Sequence, residues 1–309
     1  EKVKDYRELI EHSEEAIQFI NDNHMPVTLQ NIQGAADLLS GDQTLFRQWK
    51  KFLHQIDSDQ KAPSLIDNGD HGTLEQEGAM DMDTISRTLI NGLDNPNAMI
   101  QQYSIIEKNV ESIINQFYEN PHITTKDIKT LQRISNGMAF LNKLATKECY
   151  EIPLAVGDQI TNVNVTIIKN TEEAGKVDIR VTSDQLGKIT ASFSIKKDGL
   201  NGFITCDSRN GLDTFKAYKE RIEQAIENVG IEVKQIHICM ESKYKNIQNL
   251  KPSNLFLQGT PSSQYKGSKT GMPDPSEVRE EQDVKTSTET LYKAAKTLLI
   301  QIRNMEMKN

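Results

Sequence analysis

Six histidines and three cysteines are the side chains best able to hold a metal or attack an electrophile, and their spacing decides whether they do. His12, His24, His54, His71, His122 and His237 are scattered, with no pair four apart and no H-E-x-x-H, whereas zinc needs three or four convergent donors. Cys149, Cys206 and Cys239 are odd in number and never form C-x-x-C, so they encode neither a disulfide framework nor a zinc knuckle. No G-x-S-x-G marks a nucleophile and no G-x-G-x-x-G marks a dinucleotide site. The stretch 259–270, GTPSSQYKGSKT, lacks the G-x-x-x-x-G-K-[ST] of a phosphate loop. Residues 57–83 carry eight carboxylates (Asp57, Asp59, Asp67, Asp70, Glu75, Glu77, Asp81, Asp83) against Lys61 alone, with glycines at 69, 72 and 78. A calcium loop with Gly72 at its sixth position would put Gly69 third and Gly78 twelfth, where oxygen ligands are required, so 57–83 reads as a flexible acidic loop. No catalytic, cofactor-binding or metal-ligating residue is expected, and the chain reads as a non-enzyme. A hydrolase assembled by folding from dispersed Asp and His would instead show itself as a deep polar pocket.

Composition narrows the partners. The 309 residues allow two domains of ordinary size. With 36% apolar and 26% charged residues and a mean hydropathy of -0.57, the chain is polar, and no apolar run approaches the roughly 18 residues of a membrane span. Its 44 acidic against 36 basic side chains give a net charge of -8, the wrong sign for displacing counterions from nucleic acid. Neither nucleic-acid binding nor membrane insertion is expected, and a protein partner is. The sequence opens on Glu1 without a basic-apolar-small leader, reads as a trimmed chain, and is expected in the cytoplasm.

The elements that would present a binding surface fall into two kinds. Over 1–147 the apolar spacing is helical, with helices expected at 5–22, from Thr28 to about Gly41, at 44–56 and through 83–144. Breaks fall at Asp94-Asn95-Pro96 and Glu119-Asn120-Pro121, and Thr28 and Thr125 are suited to cap the helices that follow them. The pattern changes near Cys149. Val163, Val165 and Ile167 alternate with polar residues, as do Val177, Ile179 and Val181; the runs 189–195 and 200–206 flank a Lys197-Asp198-Gly199-Leu200 turn suited to a hairpin. A helix is expected over 212–229 with Gly230 as its stop, then a strand through Val233, Ile236 and Ile238. This order predicts an α+β class: an N-terminal helical region, then an antiparallel-rich sheet packed on a helix over 148–241. A Pro-, Ser- and Gly-bearing linker follows at 242–285, and a C-terminal helix at 286–309.

One segment carries a family likeness. In 183–238, Leu186-Gly187 opens a strand, the runs 189–195 and 200–206 form a hairpin, a helix follows, and Gly230 precedes Ile231-Glu232-Val233. This stretch resembles the C-terminal domain of flagellar hook-length control proteins, and the whole chain is similar to an uncharacterised family of flagellated Gram-positive anaerobes. The resemblance implies a non-enzymatic module that docks on the flagellar type III export gate to switch substrate class. It also implies that the chain is either cytoplasmic or exported through the flagellar apparatus. Gly187 permits a bulge or a close backbone approach and Leu186 can plug the core, so the pair serves strand geometry or, as the resemblance implies, contacts a partner. The alternative is a helical adaptor or scaffold unrelated to flagella, since one fold hosts many functions.

Overall fold

The structure, a computed structural model, describes residues 13–40, 44–58, 82–119, 122–157, 159–169, 175–196, 199–242 and 275–307. The expected start of the first helix, the body of the acidic loop at 59–81, the Lys197-Asp198 corner and the linker at 243–274 lie outside these residues. Eight helices and six strands make an α+β chain among the described residues. In order they are α1 (Ser13–Asp22), α2 (Leu29–Ser40), α3 (Leu45–Ser58), α4 (Met82–Gly92), α5 (Pro96–Tyr118), α6 (Thr125–Ala145), β1 (Cys149–Val156), β2 (Gln159–Ile168), β3 (Gly175–Ser183), β4 (Gly187–Lys196), β5 (Gly199–Cys206), α7 (Arg209–Asn228), β6 (Val233–Met240) and α8 (Pro275–Glu306).

Local chemistry fixes the helix ends. Asn95 caps α5 by accepting from the Ala98 amide at 2.9 Å, with Pro96 in the first turn, where a missing N–H costs nothing. Thr28 caps α2 through the Asn31 amide at 3.2 Å, as the sequence suggests. For α6 the cap is Thr124 and not Thr125: its hydroxyl accepts from the Asp127 amide while Asp127 reaches back to the Thr124 amide, a closed capping box. α8 begins at Pro275, eleven residues ahead of the expected start at 286, because the acidic and basic residues after Pro275 favour helix as well as linker.

The strands run in sheet order β1-β2-β3-β4-β5-β6, each antiparallel to its neighbour except the parallel pair β5 and β6, which α7 joins as a crossover. The register puts two chemistries on two faces. Tyr150, Val165, Ile179, Ala191, Ile204 and Ile238 share one rung of the apolar face. Glu151, Asn164, Arg180, Thr190 and Thr205 share the next rung, which faces the other way. Strand β1 escaped the period-2 reading because only Glu151 and Pro153 interrupt a mostly apolar run that is buried nearly throughout. Pro153 is tolerated because β1 is an edge strand, where a missing N–H need not break a ladder bond.

Helices cover both faces. On the apolar side α7 packs over β4, β5 and β6, and α8 over β1, β2 and β3. Fully burying a Phe193 or Ile204 there contributes roughly 1.5–3 kcal/mol each. Gly202 is bare because the Phe193 ring lies over it, 2.7 Å from where a Cβ would stand. α8 is fastened to α4 by Arg303 on Asp83 and to the turn after α4 by Lys296 on Asp94, both at 2.7 Å, and to β1 by a 2.6 Å hydrogen bond between the Tyr150 and Tyr292 hydroxyls. The N-terminal helices meet the polar side: Arg47 of α3 donates to the Ile160 carbonyl at 3.0 Å, and the Cys149 thiol to Asn23 Oδ1 at 3.7 Å. Buried residues of the helical region and of the sheet form one contiguous core.

Candidate functional site

The Leu186-Gly187 pair sits where the turn between β3 and β4 meets the start of α7. Ser183 Oγ accepts from the Gln185 and Leu186 amides, each at 3.0 Å, and closes the turn. Ser208, the N-cap of α7, accepts from the Gly211 amide at 3.0 Å and donates to the Leu186 carbonyl at 2.6 Å. Asp207 accepts from the Lys188 amide at 2.7 Å, and Asn210 donates to the Gln185 carbonyl at 2.9 Å. Gly187 has φ +77, and a Cβ on it would lie 2.3 Å from Asp207 Oδ1. The glycine therefore answers a close approach and a left-handed backbone. Leu186 is 0% exposed, so its side chain fills the core between sheet and helix. Any partner reaching this turn meets exposed Asp184, Lys188 and Asp207 instead.

The two edges of the sheet differ. β1 is buried along its length under α4 and α6. β6 pairs with β5 and with no other strand among the described residues, and its Lys234, Gln235 and His237 are exposed. His237 lies on the face opposite Ile236 and Ile238, its ring 6.3 Å from that of Phe203. An edge strand offers a row of backbone donors and acceptors to an incoming chain.

The polar face conceals groups that alternate with the apolar residues in the sequence. Glu151, Asn162, Asn164, Thr166 and Asp178 are all buried. Asp178 pairs with Lys176 at 3.0 Å, and burial pushes its pKa up while Lys176 opposes the rise. Glu151 accepts from the Phe46 and Leu45 amides at the start of α3; burial first and the Asp37 carboxylate second push its pKa up to about 8. Its Oε1, both amide atoms of Asn162 and Oδ1 of Asn164 have no hydrogen-bond partner among the described residues. The alternation N-V-N-V over 162–165 signalled which residues share a face, yet not that helices would cover it.

Open troughs mark the surface of the described residues. One of about 520 Å³ between α7 and α8 is lined by Arg221, Gln224, Asn228, Gln301, Asn304 and Met307, and one of about 460 Å³ by residues of α2, α5 and α6, including Gln30, Asn115, Tyr118 and Asn136. Neither brings a histidine to a carboxylate. Among the described residues no three His, Cys, Asp or Glu side chains gather to hold a metal, and no helix is long and apolar enough to cross a membrane. Burial pushes the Cys149 and Cys206 thiols up to about 11 and about 12. No protein-family model matches the chain, and no significant match was found among curated proteins or among solved structures.

Proposed function

We propose that this chain is a non-enzymatic protein-docking module whose β6 edge accepts an extended segment of a protein partner as an added strand. The observation that carries this reading is the contrast between a buried β1 edge and a β6 edge with exposed Lys234, Gln235 and His237. Strand addition draws affinity from main-chain hydrogen bonds and specificity from alternate side chains. The proposed partner is a component of the flagellar type III export gate, and the proposed role is substrate switching in hook-length control. What supports that identity is the resemblance of 183–238, which runs through β4, β5 and α7 into β6. A second reading, a helical adaptor unrelated to flagella, draws on exposed Tyr118 in the trough of α2, α5 and α6 and on exposed Val27 and Leu29 at the start of α2.

The test is calorimetric titration of the full chain with a purified export-gate component, beside a Gln235→Glu, His237→Glu variant. Both positions are exposed, so the fold should persist, as circular dichroism would verify. Wild-type binding weakened more than about ten-fold in the variant supports edge docking, because charges on an edge strand repel an added strand. Equal binding by both proteins refutes the edge, and no binding by either favours the adaptor.

A further inference from the structure

The seam between β1 and the start of α3 holds an ionisable group where a helix cap ordinarily sits. Thr44, the residue ahead of α3, leaves its hydroxyl without a partner among the described residues. Glu151 of β1 takes the Phe46 and Leu45 amides instead, and joins the helix to the sheet. Charged and polar groups surround this residue from several packed elements. From α2 comes the like charge of Asp37, and Arg133 of α6 is committed to Asp37 through Nε at 3.1 Å and a second bond from Nη2. From α5, the Tyr103 hydroxyl donates to the Glu151 main-chain carbonyl. Arg47 of α3 is engaged with the Ile160 carbonyl and Asp184. Along the rung stand Asn164 and then Arg180 of β3, whose charge is shared with Glu15 of α1, Asp178 and Glu241. Glu151 is 2% exposed, and its Oε1 has no partner among the described residues.

We propose that Glu151 is a proton-operated latch, holding the α2 and α3 layer on the sheet while it carries a proton and loosening that seam when the proton is lost. A neutral acid is cheaply buried. Ionised, Glu151 holds the two helix amides more strongly, but this is outweighed by the lost hydration and the like charge of Asp37. The docked carboxyl keeps its proton up to about 8 against 4.5 for an ordinary glutamate, so in this window lifting the layer releases a proton. Rising pH therefore favours lifting about ten-fold per pH unit between the two values, with no effect below the lower or above the higher.

The experiment is native-state hydrogen exchange of the full chain at pH 5.5, 6.5 and 7.5, with intrinsic exchange rates divided out. The opening constant of α2 and α3 amides is expected to rise about a hundred-fold across the series in the wild type and to stay flat in Glu151→Gln. Amides of β3 and β4 are expected to hold their protection in both. An equal rise in Glu151→Gln, or a parallel rise in β3 and β4, overturns the latch. Should Glu151→Gln fail to fold, the carboxyl-carbon resonance of wild-type Glu151 decides: a titration midpoint near 8 upholds the proposal and one near 4.5 overturns it.

Discussion

Replacing Gly187 by alanine tests whether the turn at the head of α7 is as tightly held as its contacts say. At φ +77 an alanine costs about 1 kcal/mol in backbone strain alone. Its Cβ would also stand 2.3 Å from Asp207 Oδ1 and 2.9 Å from Ser208 Cβ, so both side chains must move. Moving Asp207 gives up its 2.7 Å bond from the Lys188 amide, worth about 1 kcal/mol at an exposed site. Moving Ser208 weakens the cap of α7, worth about 1 kcal/mol more. The expected loss is thus roughly 2–4 kcal/mol in urea unfolding followed by Trp49 fluorescence and by circular dichroism. Gly157 supplies the control: its φ is +56 but nothing lies within 4 Å of its Cβ position, so Gly157→Ala should cost only the strain, about 1 kcal/mol. Equal losses at the two glycines would show that the turn yields freely, and would refute the argument from close approach. In an Asp207→Ala background the Gly187→Ala penalty should shrink by about 1 kcal/mol, since one of the clashing groups is gone.

Two titrations probe the interior. Burial holds the Tyr103, Tyr150 and Tyr292 phenols above the ordinary tyrosine range, so no more than five of the eight tyrosines should ionise by absorbance at 295 nm before the fold is lost. Because these pKa values are raised in the folded state, ionisation pulls toward unfolding as pH climbs past about 10, and a native titration of more than five would contradict the buried tyrosine cluster. A thiol reagent at pH 8 should label half-buried Cys239 quickly and buried Cys149 and Cys206 only as fast as the protein opens; two fast thiols would show a looser core.

Much of the fold is legible in short-range pattern. Strands β2 to β6 show in the alternation of residues such as Val163, Val165 and Ile167, and α7 in its helical apolar stripe and Gly230, because apolar residues hold one face and polar residues the other, even in β2, where both faces are covered. β1 is not legible, since its Cys149-to-Val156 run is mostly apolar on both faces, with Glu151 as its one charged residue. Gly187 is visible as a glycine, but its reason, the carboxylate of Asp207, lies across the hairpin and exists only in space. Glu151, Asn162 and Asn164 carry the signature of a solvated face; what buries them is a helical layer from the first third of the chain, and no local pattern encodes that encounter. The cap shift from Thr125 to Thr124 has a smaller cause: adjacent threonines are interchangeable until Asp127 selects the one three residues before it.

The helices that cover the sheet are made before, within and after its run of strands, and this gives its biosynthesis a direction. The N-terminal helices precede the strands, and β1 to β5 pair in the order in which they are made. The apolar face of β1, β2 and β3 must wait for α8, whose Leu291 lies over Gly175 and whose Tyr292 meets Tyr150. That helix is translated about a hundred residues after β3, an interval on the order of ten seconds on the ribosome. For that interval the β1 to β3 part of the nascent sheet exposes apolar surface, the condition in which aggregation competes with folding.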